Sequence, residues 1–86
     1  MSIWQRRQER EIRILVEDTF KNQMNPPSDG WIRWVTEYLC RRFQDLDRWE
    51  WKEALAMMDD ETLLWQHSDG KAALYLKQVR NYARGI

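Results

Sequence analysis

Trp31-Ile32-Arg33-Trp34-Val35-Thr36-Glu37-Tyr38-Leu39-Cys40-Arg41-Arg42-Phe43 contains neither Gly nor Pro. Its apolar residues recur three and four positions apart, the spacing that lines up one side of an α-helix. Ile32, Val35, Leu39 and Phe43 form an aliphatic edge, and Trp31, Trp34 and Tyr38 an adjoining aromatic edge. Together they cover an arc of about 180°, wider than the roughly 100° stripe by which a surface helix meets one neighbour. The helix must touch partners on both sides, so the chain is read as an all-α bundle.

Upstream, Ser28 is placed to cap this helix, and Asp29 sits favourably at the positive end of the helix dipole. Residues 23–30 form the clearest linker, because Pro26 and Pro27 forbid continued helix. A first helix is predicted from just after Ser2 to about Asn22, with Trp4, Ile12, Leu15, Val16, Thr19 and Phe20 on its inner side. Arg6, Arg10 and Arg13 line the other side. Ile3 and Ile14 lie among those arginines, on a face that should be wet, which suggests a second covered surface.

Downstream, Asp47 and Glu50 stand in the capping-box relation and start a third helix. Trp51, Leu55 and Met58 form its inner side, and Thr62 and Trp65 keep the same register across Asp59-Asp60, where a kink or short break is expected. Trp49 lies about 200° from Trp51 around such a helix and should be outside the local core. The last helix, Lys71 to about Arg84, presents Ala72, Tyr75, Leu76, Val79, Tyr82 and Ala83 to the core and stops at Gly85. Ser68-Asp69-Gly70 repeats Ser28-Asp29-Gly30, a match that shared capping chemistry explains without a duplication. Four or five helices in a single domain spanning residues 1–86 are predicted.

Eighty-six residues seldom hold two independent cores. Leu, Ile, Val and Phe supply only about a fifth of the chain, near the composition of disordered proteins. The surplus of six Trp, with three Tyr and four Met, moves it back toward folding. No window nears the roughly 20 apolar residues of a membrane span. One cysteine cannot form an internal disulfide, and the N-terminal residues carry no apolar stretch of the secretory kind, so a cytoplasmic location is expected. With one Cys and one His, a Cys/His zinc site is not available, and no cofactor is expected.

Charges balance at 14 basic and 14 acidic residues but are segregated along the chain. Residues 45–70 hold two basic and eight acidic groups, and residues 71–86 hold four basic and none acidic. Lys77, Arg80 and Arg84 fall close together on the last helix. They could grip phosphates, or they could neutralise the acidic segment across the bundle. Cys40 sits beside Arg41 on the polar side of the second helix, where arginines could depress a thiol pKa. It is read as incidental, and His67 as a last-turn residue facing the helix dipole. No Gly-rich phosphate loop is present.

Cys40-Arg41-Arg42 with Asp45-Leu46-Asp47, and Met58-Asp59-Asp60 to Trp65, locally resemble fragments of the small helical flavinylation factors that assist succinate dehydrogenase. That family has an Arg-Gly pair followed by Glu, whereas Arg42 is followed by Phe43, and the two fragments stand closer together than in the family. No functional residue is carried over from it. The expectation is instead a non-catalytic protein-interaction module, a small adaptor, regulator or assembly factor. It would bind another protein through Trp31, Trp34, Tyr38, Trp49, Arg6, Arg10 and Arg13, with a homodimer in view. The alternative is a small nucleic-acid binder using Lys77, Arg80 and Arg84 with the first-helix arginines.

Overall fold

Helix starts are decided locally by side chains that accept hydrogen bonds from otherwise orphaned backbone N–H groups. A computed structural model describes residues 3–67 and 69–85, with side chains from Arg7 onward. Five helices and no strand occur among the described residues: α1 Ile3–Phe20, α2 Asp29–Arg42, α3 Arg48–Met57, α4 Asp60–Gln66 and α5 Gly70–Arg84. The Ser28 hydroxyl accepts from Trp31 N at 3.4 Å and starts α2. Asp47 and Glu50 complete the capping box of α3, at 3.0 and 3.4 Å. Asp59 accepts from Thr62 N at 2.6 Å to start α4, and Asp69 accepts from Lys71 N and Ala72 N to start α5.

The two Ser-Asp-Gly segments therefore work in different registers. Ser28 caps the first, but Asp69 caps the second, one place later in the motif. α1 ends at Phe20, two residues short of Asn22, in a turn closed by Lys21 N donating to Asp18 O. Gly85 ends α5 with φ −83°, so the stop does not use a left-handed glycine.

The short break expected at Asp59-Asp60 is present, with Met58 and Asp59 both extended at ψ of 135° and 167°, and the departure from the sequence reading lies in the register beyond it. Two extended residues are more than a kink, and they reset the helical phase. Leu63 then points inward at 1% exposure, whereas Trp65, expected in register with Trp51 and Leu55, stands outside at 82%. Helical register carries across a junction only if the backbone stays helical, and the new cap at Asp59 breaks it.

The core gathers Ile12, Leu15, Val16 and Phe20 of α1, Val35, Leu39 and Phe43 of α2, Trp51 and Leu55 of α3, Leu63 of α4, and Leu76, Val79 and Ala83 of α5. α5 is the hub and packs on all four other helices, while α2 meets both α1 and α5, the two neighbours its wide arc demands. The radius of gyration, 12.2 Å, is close to the roughly 12 Å of a folded chain this long, so the five helices share one core. No helix among the described residues is long and apolar enough to cross a membrane.

Candidate functional site

The bundle divides the aromatic surplus between inside and outside. Trp31 meets Tyr75 edge-on at 5.5 Å and Trp34 at 5.9 Å, and Trp34 stacks on Tyr38 with ring centroids 5.7 Å apart. His67, the C-cap of α4, presses on Trp34 and Tyr38 at 4.7 and 4.5 Å. The Tyr38 hydroxyl and Arg42 Nη1 both donate to Gln66 Oε1. This edge of α2 therefore holds α4 and α5, and its three rings are half-buried. Trp49, by contrast, is 81% exposed.

The basic groups of α5 are also occupied internally. Arg80 is only 3% exposed; its Nη1 lies 2.6 Å from Asp60 Oδ1 and 3.0 Å from the Met58 carbonyl. Lys77 pairs with the other Asp60 oxygen at 2.8 Å, and Arg84 donates to the carbonyls of Ala56 and Met58. These three side chains close the exposed carbonyl end of α3 and bind the start of α4, where the two cations hold the Asp60 carboxyl below its ordinary pKa. The geometry thus uses them to neutralise the acidic segment across the bundle.

Neither candidate for chemistry is activated. The Cys40 thiol is pushed up to about 11, first by burial and then by Glu9 and Glu37, which outweigh Arg13. A raised pKa leaves little thiolate at neutral pH. The His67 imidazole is pushed down, chiefly by desolvation and further by Arg42, against the opposing pull of Asp69. Its Nε2 is buried without a hydrogen-bond partner among the described residues. The ring is thus a packing group against two aromatics, where the sequence suggested a charge on the dipole.

Two hollows and the exposed Trp49 and Ile14 lie between α1 and α3. A groove of about 450 Å³ is lined by Arg7, Gln8 and Glu11 of α1 and by residues 44–49, ending at Trp49. A second hollow of about 270 Å³ shares Glu11 and Arg48 with it and continues past Ile14 to Trp51, Lys52 and Tyr82. Ile14 is 51% exposed at its rim. The Trp51 indole forms part of the wall while its N–H is buried with no acceptor among the described residues. Arg10, one helical turn before Ile14, is exposed, and so is Glu53, one turn after Trp49. Arg13 lies instead on the α2 side of α1, beside Glu9 and Glu37. Ile3 and Arg6 fall among the residues whose side chains are not described.

Sequence reasoning missed a second apolar area formed by Leu64 and Leu74, beside the equally unpredicted Trp65. Leu64 and Leu74 line a hollow of about 210 Å³ between α4 and α5, closed at one end by the Asp60–Lys77 pair. The cap residue Asp59, read as a true restart of the helix, would have signalled it. No protein-family model, curated protein or solved structure matches the chain.

Proposed function

We propose that the chain is a non-catalytic, cytoplasmic protein-interaction module that docks through the face shared by α1 and α3. The observation that carries this reading is Trp49, a large ring left 81% exposed at the mouth of the groove between α1 and the start of α3. A tryptophan loses favourable transfer free energy by standing in water, and Trp and Arg are the residue types most enriched where partners bind. Ile14 and Arg10 supply the neighbouring apolar and cationic contacts. Trp31, Trp34 and Tyr38 contribute by holding α2 against α4 and α5, so the docking role falls mainly on Trp49.

The nucleic-acid alternative gains little from the geometry, because gripping a phosphate with Arg80 requires breaking its contacts to Asp60 and Met58. The reading is tested by placing a photo-crosslinking amino acid at Trp49 and, as a control, at the exposed Lys71, in the cells that make the protein. Protein adducts are expected from position 49 above the level from position 71. Equal or no adducts would refute the docking role.

A further inference from the structure

We infer that the hollow between α4 and α5 binds a small amphiphilic monoanion, a short hydrocarbon chain or ring that ends in a carboxylate. The site shares no residue with the α1/α3 groove and does not depend on the docking role of that face. Its walls are Leu63 and Leu64 of α4 and Ala73 and Leu74 of α5, with Leu64 and Leu74 left 59% and 51% exposed at its lips. Along α5 it runs from Gly70 to Lys77, two turns of helix, or about 10 Å at roughly 1.5 Å per residue. Its volume of about 210 Å³ holds about seven heavy atoms at roughly 30 Å³ each. That is room for a hexyl chain or one aromatic ring.

The charge at one end selects the head group. Asp60 is a single carboxylate held between two cations, Lys77 at 2.8 Å and Arg80 at 2.6 Å. With the neighbouring Asp59 and Arg84 included, two acids face three bases, and one positive charge is left over at this junction. Arg80 is buried, and neither it nor Arg84 lines the hollow. Lys77 is therefore the cation that a ligand reaches, and its ammonium has three donors, of which Asp60 takes one. One spare charge suits a carboxylate better than a doubly charged phosphate. Glu61, the remaining acid of the first turn of α4, lies outside the lining.

The opposite end offers no rival anion site. α5 starts there, but Asp69 already accepts from Lys71 N and Ala72 N at 2.9 and 3.4 Å, and these are the N–H groups that would hold an anion. A Cβ at Gly70 would meet nothing within 4 Å, so this end is open and lets a hydrocarbon tail run out. The head group accordingly sits at Lys77 and the tail points toward Gly70.

Amide chemical shifts of the intact chain, titrated with hexanoate, hexanol and hexylammonium, test the site. Hexanoate should move the amides of Leu64, Gly70, Leu74 and Lys77 first and saturate in the millimolar range, as expected when about five methylene-sized groups leave water. Hexanol should bind about three- to fivefold more weakly for want of one exposed ion pair, and hexylammonium more weakly still. Lys77→Gln should bring hexanoate down to the hexanol level, Lys77→Arg should keep the preference, and Leu74→Ser should weaken all three probes, with helical content by circular dichroism unchanged. Shifts that fall elsewhere or never saturate overturn the proposal, as do three probes that bind alike or a Lys77→Gln chain that still prefers hexanoate. Acetyl-leucine separates the two sources of this chemistry: if it binds more tightly than hexanoate, the hollow takes a peptide C-terminus and the assignment to a free acid is overturned.

Discussion

Replacing Arg80 with Ala separates a structural cation from a binding one. The side chain is 3% exposed, and its Nε and Nη2 donate to Asn81 Oδ1 at 3.2 and 3.0 Å while Nη1 donates to Met58 O at 3.0 Å. Hydrogen bonds from a charged group contribute about 1.5–3 kcal/mol each when the partner is desolvated, and about half that when water can replace the donor. The Met58 carbonyl keeps Arg84 as a second donor, and the Asn81 side chain is solvent-exposed, so the full values do not add. The buried stem leaves a void as well, which brings the expected loss to about 2–3 kcal/mol, counting nothing for the half-exposed Asp60 pair. In a domain of this size that lowers Tm by roughly 10–20 °C. Arg84→Ala, at an exposed position, should cost less than half as much. Thermal unfolding followed by circular dichroism reads both. An Arg80→Ala protein melting within about 3 °C of the parent would refute the assignment of this cation to the α3–α4 junction.

Three further outcomes follow from the same geometry. Trp49→Ala should leave unfolding free energy within about 0.5 kcal/mol when measured on dilute protein, whereas Trp51→Ala, at 1% exposure, should cost about 3–5 kcal/mol in urea titrations. His67 binds its proton less readily in the fold than in the unfolded chain, so stability present above pH 6.5 should decline as pH falls through the lowered folded value; His67→Phe should remove that slope in a pH series of melts. Cys40 should react with a disulfide reagent at pH 8 far more slowly than free cysteine, and at the ordinary rate after unfolding in guanidinium.

Much of the bundle was legible in local chemistry. The wide arc of α2, the Asp47/Glu50 capping box and the proline linker each report a constraint satisfied within a few residues, and each lies where the sequence indicated. Trp49 could be placed outside for the same reason, since its angle from Trp51 is set within one turn. Trp65 could not, because its direction depends on whether two residues, Met58 and Asp59, are helical or extended, and Asp-Asp is compatible with either. The role of Arg80 was equally hidden. Its helical neighbours mark it as part of a cationic cluster, but only the approach of the α3 carbonyl end shows that the cluster is spent inside the molecule. The likeness of the α2 aromatic edge to a binding surface has the same origin, as the partner rings Tyr75 and His67 are distant in sequence.

Trp49 and Trp65 are matched in exposure, at 81% and 82%, and so provide a docking probe with an internal control. The decisive measurement is hydroxyl-radical footprinting of both rings by mass spectrometry, in dilute purified protein and in the cells that make it. Docking through the α1/α3 face predicts that oxidation of Trp49 drops severalfold in the cell relative to Trp65. An unchanged ratio of the two would contradict it.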